Sequence, residues 1–322
     1  MSKKSKFIWL TFFIYGAPIL ILANTPFFRD SYGSSSWFNP LGIIFCALIA
    51  YCIYLFFFKK EISGDERVIC IFKGLRKVFN FVFIKNLKGD SEITKEEKVS
   101  LLFYMVKIVF TPLMIGFLIT NIVSLLNYSE NFNFLRLMFY IILFVDTAIF
   151  SFGYLVESKK LNNIVKSVEP TFLGWAVALI CYPPFNGVGG NLFGWYSSDF
   201  SSFGNLHLDF IFGIISILLF TVYVWATIAL GFKASNLTNR GIVSTGPYKY
   251  IRHPAYIFKN LSWWVMGIPF IINFGIIAIL SLSAWSFIYY MRAMTEERHL
   301  MADPEYIQYM QKTKYMFIPQ VF

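Results

Sequence analysis

Seven stretches of this sequence are long, apolar and all but free of charge: 7–23, 31–58, 108–129, 137–156, 171–198, 210–232 and 260–291. About 20 apolar residues in a helix span the roughly 30 Å hydrocarbon core of a bilayer, so runs of this kind point to transmembrane helices. The composition agrees, since 57% of the residues are hydrophobic and only 14% are charged, whereas soluble domains carry roughly 25% charge. A soluble globule is therefore excluded. The last run is too long for one ordinary span and holds Pro269 and then Asn273-Phe274-Gly275, turn chemistry that divides it into a hairpin of two short helices. The run from 171 meets Pro183-Pro184 and a glycine cluster, Gly187 to Gly190, so its helix is expected to stop near Tyr182. The fold class expected is an all-α polytopic membrane protein with about eight crossings, closed by the C-terminal hairpin.

The net charge of +10 then acquires a direction. Lys and Arg are retained on the cytoplasmic side of membrane proteins. Lys3, Lys4 and Lys6, the ten basic residues of 59–100, the three of 157–170, those of 233–259 and those after Met291 all fall on one side of an eight-crossing chain. The opposite loops are nearly bare, with Arg29, Arg136 and no basic residue in 186–206. Both termini are thus expected in the cytoplasm, and the basic excess marks loops rather than a nucleic-acid footprint. The wealth of Phe, Ile, Lys and Asn suits an AT-rich bacterial genome, hence a bacterial inner membrane.

The basic start and first apolar run resemble a signal peptide, but without a clear cleavage site they read as an uncleaved anchor. Between the second and third runs, Val68, Ile71, Phe72, Leu75, Val78, Phe79 and Val82 recur at spacings of three or four among basic residues, the pattern of a helix near 65–88 lying in the interface. Cys46, Cys52, Cys70 and Cys181 show no metal or disulfide spacing and read as small hydrophobes. No metal site is expected. Asp146, an acid within an apolar run, is read as a helix–helix hydrogen-bonding group that burial keeps neutral unless it has a partner. His299 is read as solvated, and Trp263 and Trp264 as interfacial belt residues.

Chemistry is expected where polar groups and turn residues concentrate. One such segment runs from Asn236 to Tyr256 and combines Gly246-Pro247-Tyr248 with Arg252-His253-Pro254-Ala255-Tyr256. Its prolines block continued helix and its glycines permit tight turns, which leaves backbone groups free for a ligand. The other is Arg292 to Leu300, where Glu296 and Glu297 sit at a helix C-terminus. The helix dipole disfavours negative charge there, so a cation, Arg292 or a ligand, is expected close by.

Together with Pro304-Glu305-Tyr306, Tyr309 and Ile318-Pro319, these motifs resemble the isoprenylcysteine carboxyl methyltransferase and phospholipid methyltransferase family, over roughly residues 206–322. The resemblance implies a membrane enzyme that transfers a methyl group from S-adenosylmethionine, bound from the cytoplasm, to a lipophilic acceptor, a lipid or a prenylated compound, bearing a carboxylate or amine. Carried over by position, Gly246, Tyr248, His253, Pro254, Tyr256, Glu296 and Glu297 would form the cofactor site. Arg252 and Arg292, with Glu297, would serve the reacting groups. Residues 206–322 would form the methyltransferase-like core. Residues 1–205 would contribute a lipid-facing wall of the acceptor site or a surface for a homo-oligomer. The sequence departs from the family pattern at Phe258, where a small residue is usual, which puts the pocket's shape in question. Two other readings are an NADPH-dependent reductase of the sterol-reductase type, which shares an Arg/His-Pro-x-Tyr element, and a non-catalytic transporter or lipid scaffold.

Overall fold

The computed structural model describes residues 2–29, 39–59, 66–84, 92–128 and 133–319. The described chain is mainly helical: α1 (Lys3–Asn24), α2 (Pro26–Arg29), α3 (Pro40–Phe58), α4 (Arg67–Phe79), α5 (Lys95–Leu126), α6 (Phe134–Leu155), α7 (Phe172–Leu179), α8 (Asn186–Phe193), α9 (Leu206–Leu230), α10 (Pro254–Phe274), α11 (Ile276–Leu300) and α12 (Pro304–Lys312). Among the described residues seven helices are long and apolar enough to cross a membrane, namely α1, α3, α5, α6, α9, α10 and α11. The protein is an all-α polytopic membrane protein. Residues 31–38 of the second apolar run, and Lys60, Lys85 and Lys88 of the basic stretch, lie outside the described residues.

The chain divides into two compact units, residues 1–116 with 166–168, and residues 117–165 with 169–322. In the first, α4 turns Val68 and Ile71 onto Phe7, Ile14 and Leu55, while Phe72, Leu75, Val78, Phe79 and Val82 are exposed. The expected amphipathic helix therefore forms over 67–79 and continues as a π-helical turn, Asn80–Ile84. Its apolar residues are shared between the protein interior and the outside. Residues 85–88 of the expected span lie outside the described residues.

In the second unit α6 and α9 run parallel, with Leu135 beside Gly213, Phe139 against Phe220, and Phe152 against Phe232. Two parallel neighbours require the intervening chain to return along the bundle. That return is made by the broken run. Its Pro183-Pro184 step separates α7 from α8, each only eight residues long, because proline supplies no amide for helix continuation. The helix stops at Leu179, close to the expected Tyr182, and the glycine cluster lies within α8 rather than in a loop. The segment follows α11 in the opposite direction: Glu169 meets Arg298, Tyr182 lies under Arg292, and the Gly194 carbonyl accepts from Trp285 Nε1 at 2.9 Å. Where an eighth crossing was expected there are thus two short helices, neither of them among the seven long enough to span.

The last run forms the expected hairpin, but with long arms of 21 and 25 residues. Gly275, with φ of 57°, makes the turn, a conformation natural to glycine. Pro269 lies inside α10 rather than at the turn. Asn205 caps α9 by accepting from the amides of His207 and Leu208. The C-terminal ends of α6, α9 and α11 and the start of α10 therefore gather at one end of the unit.

Candidate active site

Where these ends meet, the chain encloses a chamber of about 1050 Å³, mouth included. Tyr223, Thr227 and Leu230 of α9 line one wall, Tyr289, Arg292 and Glu296 of α11 another. The segment Ser235 to Val243, Tyr248, the Arg252–Tyr256 turn and Tyr306 and Tyr309 of α12 close the rest. A smaller annex of about 360 Å³ adjoins it, sharing Tyr256, Arg292 and Glu296 and adding Glu169, Gly174, Thr295 and His299.

The Arg-His-Pro turn is held by the C-terminal chain. The backbone amides of Arg252 and His253 each donate at 3.0 Å to the carbonyls of Tyr315 and Met316. Arg252 Nη1 donates to the Thr313 carbonyl at 3.1 Å and to that of Lys314. Arg252 also grips Glu297 in a fork, Nε to Oε1 at 2.6 Å and Nη2 to Oε2 at 3.2 Å, and His253 Nε2 lies 3.2 Å from the same Oε1. Burial works against the Arg252 charge, but the hydrogen bond to Glu297 outweighs it and raises the pKa beyond the ordinary guanidinium range. Pro254 occupies the first turn of α10, where its missing amide costs nothing.

The two adjacent glutamates consequently face different partners. Glu297 is buried, does not line the chamber, and is occupied by Arg252 and His253. Glu296 lines both chamber and annex, with Oε2 accepting from the Tyr256 hydroxyl at 2.6 Å. Gly246, with φ of 59°, is set against Ala229 and Trp225 and shapes the backbone that places Tyr248 in the wall. Tyr248 is further fixed by its carbonyl, which accepts from the Tyr309 hydroxyl at 2.8 Å. Burial pushes the phenols of Tyr306 and Tyr309 above the ordinary range, so both remain hydroxyls at physiological pH.

Arg292 is buried within three aromatic faces, 5.0 Å from the Tyr256 ring centroid, 5.4 Å from Tyr182 and 5.6 Å from Tyr289. Its Nη2 donates to Asn236 Oδ1. No described carboxylate lies within ion-pair distance of it. Arg252, Arg292, Tyr248, His253, Tyr256 and Glu296 thus come together around the chamber, while Gly246, Pro254 and Glu297 support it from outside.

Three positions carried no assigned role in the sequence-based reading of this site. Glu169 is 2% exposed; its Oε1 accepts from the Thr171 amide and hydroxyl and from Arg298, while Oε2 is buried without a partner and Glu169 lines the annex. Its only sequence signal was a glutamate one residue before Pro170 and Thr171. His299, expected to be solvated, is half-buried in the annex wall. Lys259, counted earlier only as a cytoplasmic charge, lines the chamber with Nζ 5.4 Å from the Tyr223 ring and 5.5 Å from Trp263. Trp263 and Trp264 also pack between helices, against Trp195 and Tyr289 and through a hydrogen bond to Ser286 respectively. Asp146 accepts from Tyr223 and Thr227 of α9, each at 2.7 Å. Phe258 packs against the Phe139, Phe220, Tyr223 and Val224 cluster and does not line the chamber.

Residues 207–302, from α9 to the end of α11, match the model of the isoprenylcysteine carboxyl methyltransferase (ICMT) family. Over that region, just under a third of its length, the chain is similar to the ICMT family, which is one of membrane methyltransferases. No curated protein matches the chain.

Proposed function

We propose that this protein transfers a methyl group from S-adenosylmethionine to an anionic, lipophilic acceptor at the cytoplasmic membrane face. The supporting observation is the segregation of charge in the site. The annex holds two carboxylates, Glu169 and Glu296, against Arg292, whereas the chamber wall carries Lys233, Arg240, Arg252, Lys259 and Arg292 against Glu296 alone. The buried, unpartnered Glu169 Oε2 needs a donor, and a cationic ligand end beside it relieves that cost. The residues present therefore fit an S-adenosylmethionine bound with its ammonium in the annex. Its sulfonium supplies an activated methyl group when it is bound.

The chain's own contribution is alignment and solvent exclusion. In-line displacement forms the bond from acceptor oxygen to methyl carbon and breaks the bond from that carbon to sulfur. A carboxylate acceptor brings no proton to dispose of. Charge is neutralised as the bond forms, which a low-dielectric chamber favours over separated ions. Arg292 holds the acceptor anion through donors that no protein carboxylate occupies. Tyr256, fixed by Glu296 and packed under Arg292, sets the distance between annex and chamber. Arg252, His253 and Glu297 keep the start of α10 against the end of α11.

The test is binding of S-adenosylmethionine and of NADPH to the purified protein in nanodiscs, repeated with Glu296→Gln, followed by incubation of total membrane lipids with methyl-labelled cofactor. S-adenosylmethionine binding that weakens at least about tenfold in the variant, with a labelled lipid product, is expected. NADPH binding without S-adenosylmethionine binding would establish the reductase reading instead, and binding of neither would leave a scaffold.

A further inference from the structure

Lys259 is a charge in an expensive place. It lies in the second turn of α10, in a helix apolar enough to span a membrane, and ionisable groups at such positions mark functional sites by default. Its ammonium carries three donors. Yet Nζ has no hydrogen-bond acceptor and no carboxylate within ion-pair distance among the described residues. It rests instead over the rings of Tyr223 and Trp263 and faces the chamber. Asp146 and Asp199 act on it only at longer range, and Asp146 is engaged by the Tyr223 hydroxyl, which donates to its Oδ2, and by Thr227, which donates to Oδ1. Asp146 thus enriches the ring beneath the ammonium and leaves the ammonium's donors free. Cation–π contact alone does not satisfy N–H donors.

A second cation, Arg292, stands in the same chamber, likewise without a carboxylate. One negative group on the acceptor satisfies one of them. S-adenosylmethionine bears one carboxylate against a sulfonium and an ammonium, so it is net positive and cannot neutralise both cations. We propose that Lys259 and Arg292 together form a dianion subsite, so that the acceptor is a membrane-borne amphiphile whose head carries two negative charges, a phosphomonoester being the simplest such head. Lys259 is then a specificity-determining residue. This rests on the methyltransferase reading above for the identity of the chamber as the acceptor site.

The experiment uses the full chain in phosphatidylcholine nanodiscs at pH 8, where an alkyl phosphate is a dianion, since its second pKa is about 6. Calorimetric affinities are measured for octyl phosphate, octanoate, octylamine and inorganic phosphate, with S-adenosylmethionine titrated in the same samples. Octyl phosphate should bind at least about tenfold more tightly than octanoate. Lys259→Gln should bring that ratio close to one while octanoate and S-adenosylmethionine affinities stay within about threefold, and Lys259→Arg should restore it. Arg292→Gln should weaken both anions. Equal binding of octyl phosphate and octanoate by the wild-type protein overturns the proposal without recourse to any variant, as does preference for octylamine. So does a ratio unchanged by Lys259→Gln. Inorganic phosphate binding as tightly as octyl phosphate overturns the amphiphile part. S-adenosylmethionine binding combined with any of these failures leaves the methyltransferase reading standing, whereas its absence sinks that reading itself.

Discussion

Two neighbouring glutamates show how differently identical side chains act at the residue scale. Glu297 is consumed by Arg252 and His253, so Glu297→Gln leaves a buried guanidinium without its counter-ion. Loss of one partner of a buried pair costs about 3–5 kcal/mol. The variant is expected to denature at a markedly lower temperature in detergent, whereas Glu296→Gln, which removes a charge but keeps an oxygen that can accept from Tyr256, leaves that temperature nearly unchanged and weakens cofactor binding. The two scans separate support from contact. Gly174 makes a related point: a Cβ there would lie 2.3 Å from Glu169 Cγ, so Gly174→Ala displaces the annex carboxylate. We expect S-adenosylmethionine affinity to fall by about tenfold in Gly174→Ala with chamber anion binding retained, measurable by the same calorimetry. Of these side chains the sequence made Glu296, Glu297, Arg252 and Arg292 legible through their motif. It could not say that Glu297 turns inward, because adjacent helix positions differ by about 100° in facing and only packing shows which face is occupied. The same applies to Phe258, whose bulk is absorbed by the α6–α9 cluster rather than by the pocket.

At the scale of elements, the C-terminal chain after α12 acts as a strap. Four of its carbonyls, those of Thr313, Lys314, Tyr315 and Met316, accept from Arg252 and His253. A chain ending at Lys312 loses all of them, and the Arg252 turn is expected to become accessible to protease while α10 and α11 remain protected, a pattern limited proteolysis with mass mapping would reveal. A strap that contributed nothing would leave the digestion pattern unchanged. Between α6 and α9, Asp146 binds two hydroxyls, so Asp146→Leu orphans Tyr223 and Thr227 at about 1–3 kcal/mol each, whereas Asp146→Asn retains an acceptor. The first should lower thermal stability in detergent clearly more than the second. These helices were readable from runs of apolar residues, and the hairpin from Asn273-Phe274-Gly275, because both signals are local. Burial of Glu169 was not, since it depends on Gly174 five positions on and on Arg298 far away in the chain.

At the scale of the whole molecule, the α7–α8 return along α11 decides which ends share a face. If that segment crosses the bilayer, Lys249→Cys should react with a membrane-impermeant maleimide from the cytoplasmic side and Ser202→Cys from the opposite side. Labelling of both from one side would refute the crossing and the orientation derived from the basic loops. The sequence by itself determined that this chain lives in a bilayer as helices and that two polar motifs lie near helix ends, since hydropathy and turn chemistry are properties of short segments. Only the tertiary structure decided that the run from 171 folds as two short helices antiparallel to α11, that Glu297 is a tie and Glu296 a wall, and that Lys259 faces the same chamber as Arg292. Those outcomes depend on which faces of distant helices meet, and burial without water makes each polar group's partner a matter of three-dimensional proximity rather than of sequence distance.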